Sequence, residues 1–397
     1  MRPGIKYALL LASSLVVIGS LIGGMMGGAA AQNSAIPLLS TFVEVIERIR
    51  SDYVDEPSLT NAMQGAIRGM VERVDPHGGY LTPESVAFYR TFNALEDPGI
   101  GVTLSKKFDY PVIVAAVPGG PAAEAGLGTG DTIEAIDGET LREHNLVEVH
   151  QLLSGPAGST VELNVIRRSG AAAELITLGR EVVAVPPVEF RMLENNVGYV
   201  KIPMFGPGTA SQAEARIQEL AASGASSMIL DVRNSAGGAL EEGFDLADFF
   251  LDSGELGYLE GQTVERETFS ASPGGSATDM PLAILINEGT AEAAELMAAA
   301  IRDNDRGELV GIRTFGFAAE QELLTLDDGS ALLLSVANYY TPDGDEIQTE
   351  GVRPTVEVAA TALEDPLGIP GGAGDRDLQL DRALEILRGQ TAGQAAA

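Results

Sequence analysis

The side chains able to do nucleophilic or acid–base chemistry are few in this sequence of 397 residues, and they are unevenly placed. Lysine occurs only at Lys6, Lys106, Lys107 and Lys201, histidine only at His77, His144 and His150, and cysteine is absent. With no thiol there is no thiolate nucleophile, no disulfide and no Cys-held zinc or iron–sulfur site. General-base catalysis needs a group that titrates near the working pH, and after Lys201 the chain offers no Lys, His or Cys. Lys201 itself falls in a run whose alternation places Val200 and Ile202 inward and its ammonium toward water. His77 follows a helical stretch and is read as a turn residue. The other chemistry on offer is recognition. The run Gly99-Ile100-Gly101-Val102 alternates glycine with apolar residues, so consecutive backbone N–H groups can form a nest for a peptide C-terminal carboxylate. The strand edge after it can take the peptide as an added strand, with Ile100 and Val102 flanking the loop. No metal or cofactor is expected.

These residues need elements to place them. From Ile36 to Val74, apolar residues recur at helical spacing, broken by Asp55-Glu56-Pro57, which predicts a helical hairpin. From Gly99 to Glu181 come short β-type runs at Val112–Val117, Thr132–Ile136, Val161–Ile166 and Leu175–Leu178, with one helical stretch at Leu146–Leu153. From Gly198 strands and helices alternate: strands at Gly198–Ile202, Ser227–Asp231, Leu282–Ile286 and Leu309–Gly311, helices at Thr209–Ser223, Leu240–Phe250 and Ala291–Asn304, then β-type segments to Val358. A Gly/Pro linker at 366–374 precedes a last amphipathic helix on Leu378, Leu380, Ala383, Leu384 and Leu387. The expected fold is mixed, α+β with an α/β core. Its parts are a segment at 1–31, a helical part at 36–95, a β-rich domain at 96–182, an α/β core at 183–360, a linker at 361–374 and a helical tail at 375–397.

Charge and hydropathy speak to partners and place. Fifty-seven Asp and Glu against 25 Lys and Arg give a formal charge of −32, a field that repels nucleic acid and anionic lipid surfaces. Arg2 and Lys6 precede an uncharged stretch from Tyr7 to Ala31. That pattern is an export segment: either a signal peptide cut near the small residues Gly27 to Ala31, or a single membrane anchor. In both cases the bulk of the chain lies outside the cytoplasm, in the periplasm or cell envelope. Cleavage would leave 23 Lys and Arg against the 57 acidic residues.

Several motifs carry a resemblance. Gly99-Ile100-Gly101-Val102, Pro121-Ala122-Ala123-Glu124-Ala125-Gly126-Leu127, Gly130-Asp131-Thr132-Ile133 and Ile136-Asp137-Gly138 together resemble a PDZ domain. Around it stand Asp75-Pro76-His77 with Tyr80-Leu81-Thr82-Pro83-Glu84, Asp231-Val232-Arg233-Asn234-Ser235-Ala236-Gly237-Gly238, and Tyr339-Tyr340-Thr341-Pro342-Asp343-Gly344. These are similar to the C-terminal-processing, or tail-specific, peptidases. The resemblance implies a helical N-terminal part, an inserted PDZ domain and an α/β core of the ClpP/crotonase-like type. It also implies a Ser nucleophile at a helix start, a Lys base 25 residues later, and an oxyanion site outlined by Gly237, Gly238 and the Ala293 N–H. In this sequence the Ser position is Glu292 and the Lys position is Phe317, while Gln321, four residues on, is retained. The serine chemistry is therefore expected to be lost and binding kept, with protein or peptide C-termini, a second copy or an active paralogue as partners. Glu292 with Gln321 also resembles the pair of glutamic peptidases, in which a carboxylate activates water. Against this, a helix start stabilises the charged form of Glu292 and is expected to lower its pKa, leaving it a helix cap.

Overall fold

The computed structural model describes residues 36–107, 109–168, 170, 172–359 and 376–396. The expected export segment and the expected linker lie outside the described residues. The chain divides into two compact units at Ile67 and Arg68. In the first, α1 (Ile36–Asp52) is followed after a bend by α2 (Leu59–Val74), the two helices expected from the spacing. Several of their apolar residues are exposed, among them Leu39, Val43 and Met70.

The second unit holds three sheets. One is built from β2 (Val102–Lys107), β3 (Tyr110–Ala116), β4 (Thr132–Ile136), β6 (Thr160–Ile166) and β7 (Ala173–Gly179), in the order β2-β3-β4-β6-β7, with β5 (Glu139–Thr140) on β4. Helices α4 (Pro121–Glu124) and α5 (Leu146–Leu153) accompany it. Alternate residues such as Val161, Leu163 and Val165 point into one core with Leu153, Ile133 and Ile100. Helix α5 starts where the sequence says it should, because Asn145 accepts from the Glu148 N–H (3.0 Å) while Glu148 accepts from the Asn145 N–H (3.1 Å). Ile100 is buried in this core and also lines the small recess at residues 99–102.

The second sheet runs β17 (Val356–Glu357), β14 (Glu308–Gly311), β13 (Leu282–Ile286), β10 (Ser227–Asp231), β9 (Val197–Lys201) and β8 (Glu189–Leu193); all its neighbours are parallel except β8 with β9. One face packs on α6 (Thr209–Ala222), α7 (Leu240–Asp248) and α8 (Ala293–Asp303), and the other on α9 (Leu378–Ala396) through Ala383 and Leu387. A strand covered on both faces is apolar throughout rather than alternating. That explains why Tyr199 is buried as well as Val200, while Val200 and Ile202 lie in the core as expected and Lys201 between them is only partly buried. Leu378, expected on the buried face of the last helix, is exposed.

The third sheet is antiparallel. It joins β1 (Gly79–Leu81), β16 (Ala331–Tyr340), β11 (Glu255–Glu260) and β12 (Glu267–Ser270), with β15 (Ala319–Thr325) on β16. Between β1 and the first sheet lies α3 (Pro83–Thr91), started by Thr82, whose side chain accepts from the Ser85 N–H. The sequence patterns gave no sign of α3, β8, β11 or β12.

Candidate active site and peptide groove

In an open parallel sheet, ligands meet the loops beyond the carboxyl ends of the strands. Two such loops face one another here. The loop after β10 turns through Gly237 and Gly238 at φ +84° and +105°. A side chain on Gly238 would stand 1.9 Å from the Phe205 carbonyl oxygen, so only glycine passes. The loop after β13 ends in Glu292, at the N-cap of α8, itself at φ +57°. Three backbone bonds hold that conformation: Ala291 N–H to Ser235 O (2.9 Å), Phe315 N–H to Thr290 O (3.0 Å) and Glu292 N–H to Phe317 O (3.1 Å).

The Glu292 carboxylate crosses to the glycine loop, where its Oε2 accepts from the Gly237 N–H at 2.5 Å. The first of the expected oxyanion donors thus holds this chain's own carboxylate. Ala293 is buried at the first position of α8 beside it. Burial, helped by the nearby Glu295 charge and opposed by the Gly237 N–H, pushes the Glu292 carboxyl up to about 7. This corrects the lowered value expected from the helix start: desolvation outweighs the dipole. Glu295 is fully buried and raised for the same reason. It accepts from the Gly316 N–H (2.7 Å), the Phe317 N–H (2.9 Å), the Thr314 hydroxyl and the Glu292 N–H (3.1 Å). Loop 314–317 is thereby clamped onto the start of α8.

Phe317, on that loop, stacks its ring on His77 with centroids 4.8 Å apart. His77 does occupy a turn, as expected, but its ring also enters the site, which the sequence reading missed. The turn before β1 is carried in by that strand's pairing with β16. The imidazole lies 2.9 Å from the Ser105 hydroxyl and 3.0 Å from the Gln348 amide nitrogen. Gln348 accepts from the Ala318 N–H with its oxygen (2.7 Å), so its NH₂ group donates to Nδ1 and the His77 proton sits on Nε2. Ser105 then accepts from His77, the reverse of what an activated nucleophile requires. Burial lowers the His77 pKa against the pull of Asp75, keeping the ring neutral.

Gln321 donates to the His77 carbonyl oxygen at 3.0 Å. The Glu292–Gln321 pair considered from the sequence is thus not assembled, although both residues line one cavity of about 510 Å³. The cavity runs from Glu292, Phe317 and Met204 to Gly101, Val102 and His150, with Phe88 and Phe92 of the unforeseen α3 region on its wall. It adjoins a recess of about 40 Å³ at Gly99 to Val102. Within the expected nest, Gly99 is already committed: its N–H and carbonyl pair with Glu181, both at 2.9 Å. Of the expected carboxylate seat, Ile100, Gly101 and Val102 lie outside that bridge, with Gly101 at φ +73°. His150, beside the seat and against the Phe92 ring, is pushed down to about 4 by burial.

Comparison with known proteins agrees with this architecture. Residues 196–358 match peptidase family S41 and residues 112–167 match the PDZ domain family. A carboxy-terminal-processing protease of Bartonella bacilliformis is 31% identical, over 86% of this chain and 80% of that protein. The carboxyl-terminal-processing protease of Synechocystis sp. is 33% identical, over 87% and 81%. Among solved structures, a photosystem II D1 C-terminal processing protease superposes with a TM-score of 0.67 at 30% identity, covering 80% of this chain and 92% of that one.

Proposed function

The chain belongs to peptidase family S41, with C-terminal-processing proteases among its relatives, and from that premise we propose that it is an exported pseudopeptidase, which binds protein C-termini and does not cut them. The observation that carries the reading is the Glu292 carboxylate bonded to the Gly237 N–H, with a phenyl ring at Phe317 where the family resemblance expects the base. A carboxylate offers no hydroxyl to attack a peptide bond, and Phe317 offers no amine to take a proton. Binding is supported by the seat at Ile100 to Val102 and by the cavity leading from it. Under this reading residues 1–31 export or anchor the chain, 96–182 form the PDZ domain and 183–360 the peptidase-like core. A second copy or an active paralogue is the alternative partner to a free C-terminus.

A second reading rests on the raised Glu292 carboxyl: a glutamate titrating near neutrality is a competent general base for water. Gln321, turned to the His77 carbonyl, gives it no help.

Peptides with a free apolar C-terminus, titrated against their amidated forms, test the binding claim. Free acids should bind at about micromolar Kd and amides at least tenfold more weakly. Equal binding removes the carboxylate seat. Covalent labelling of the wild type by a serine-directed phosphonate would defeat the claim of lost chemistry.

A further inference from the structure

Glu292 is the one acidic residue lining the 510 Å³ cavity, and neither Lys nor Arg is among its lining residues. The rest of the wall near it is apolar or neutral: Phe317, Met204, Val102, Leu104 and the Gly237–Gly238 backbone. Its two imidazoles, His77 and His150, are held neutral by burial. On the protein side the carboxyl accepts from the Gly237 N–H and closes a capping box with Glu295 at the start of α8, and no basic side chain is among its hydrogen-bond partners in the described residues. Water's replacement by apolar walls makes an unpaired charge costly and an arriving cation correspondingly welcome.

We infer that the cavity in front of Glu292 receives a basic side chain, lysine or arginine, from a peptide whose C-terminal carboxylate sits at Ile100 to Val102. The inference rests on the reading of the chain as a binder of C-termini and adds what it selects upstream. Both ends of that peptide are accommodated because Gly101, Val102 and Glu292 line the same cavity, whose volume is within the range of peptide and ligand pockets. A lysine or arginine stem is apolar and lies along Phe317 and Met204, while its head reaches the carboxylate as a charge-assisted hydrogen bond. An acidic side chain at the same place meets a like charge and is rejected. A chain lacking the basic residue still reaches the seat but leaves Glu292 unpaired.

The test uses N-acetylated free-acid peptides with one apolar C-terminus and a single lysine moved through the third to eighth positions from the end. Norleucine and glutamate replace it at each position, and Kd is read by fluorescence anisotropy. At one position lysine should bind at least tenfold tighter than norleucine, with glutamate weakest. The lysine-to-norleucine ratio should fall to near one in Glu292→Gln. Equal lysine and norleucine affinities at every position overturn the inference, as does a preference that survives Glu292→Gln. Butylguanidine provides an arm that needs neither a peptide nor a variant: it should raise the Tm of the wild type and be displaced by the lysine peptide, and no rise counts against the pocket. Loss of discrimination between free and amidated peptides, with the butylguanidine shift intact, strikes the C-terminus reading and leaves the basic pocket standing.

Discussion

Glu292 combines two costs at one position. Its φ of +57° is a conformation worth about 1–3 kcal/mol of strain for a residue with a side chain, and its carboxyl is buried. Because its pKa in the folded chain is pushed up to about 7 from an ordinary 4.5, the folded state holds the Glu292 proton more tightly than the unfolded state. That contribution to stability is present below about pH 4.5 and is lost as pH rises toward 7. Glu292→Gln, which mimics the protonated acid, should therefore stabilise the protein at pH 8 by about 3 kcal/mol and change little at pH 4.5, as measured by urea denaturation. A larger effect at pH 4.5 than at pH 8 would refute the burial argument. Under the proposed loss of chemistry, hydrolysis should appear only with Glu292→Ser together with Phe317→Lys, and each change alone should stay silent against an unfolded substrate. A serine without its base remains protonated, and a lysine beside Glu292 remains an ion pair.

Among the elements, the last helix has an anchor that sequence periodicity does not reveal. Arg233, in the loop after β10, donates to both oxygens of Asp231 (2.9 and 2.6 Å), to Asp377 (3.0 and 2.8 Å) and to Gln379 (3.1 Å). Asp231 is buried and also accepts from the Tyr199 hydroxyl at 2.7 Å. Arg233→Ala leaves that carboxylate without its counter-ion and should cost about 3–5 kcal/mol, with amide exchange in α9 accelerated more than in α6. Uniform exchange across both helices would show that no such anchor operates. Helices and strands with strong periodicity, such as Leu146–Leu153, Thr132–Ile136 and Leu282–Ile286, were legible in the sequence to the residue. What escaped were α3, whose apolar residues Val86 to Tyr89 are contiguous rather than spaced as a stripe, the edge strands β8 and β12, and β11, whose run Glu255–Glu260 carries glycine and two glutamates. The motifs at Gly237, Gly238 and Glu292 marked loops that the structure does bring face to face. His77 escaped because its role depends on a pairing between β1 and β16 some 250 positions apart in register, and Gly99 because its bridge to Glu181 closes only when the first sheet folds.

For the whole molecule, the fold and the family are those of C-terminal-processing peptidases, while a carboxylate and a phenyl ring stand at the centre of the site. The export proposed from the uncharged stretch at Tyr7–Ala31 is tested by reporter fusions after residue 40, which should be active only outside the cytoplasm; a soluble cytoplasmic full-length product would contradict it. The central claim is binding without cleavage, and mass spectrometry of an unfolded, apolar-tailed substrate incubated with the purified wild type from pH 4 to 9 tests it most directly. The substrate should remain intact at every pH; hydrolysis by the wild type that disappears in Glu292→Gln would contradict the account and make Glu292 a working catalytic base.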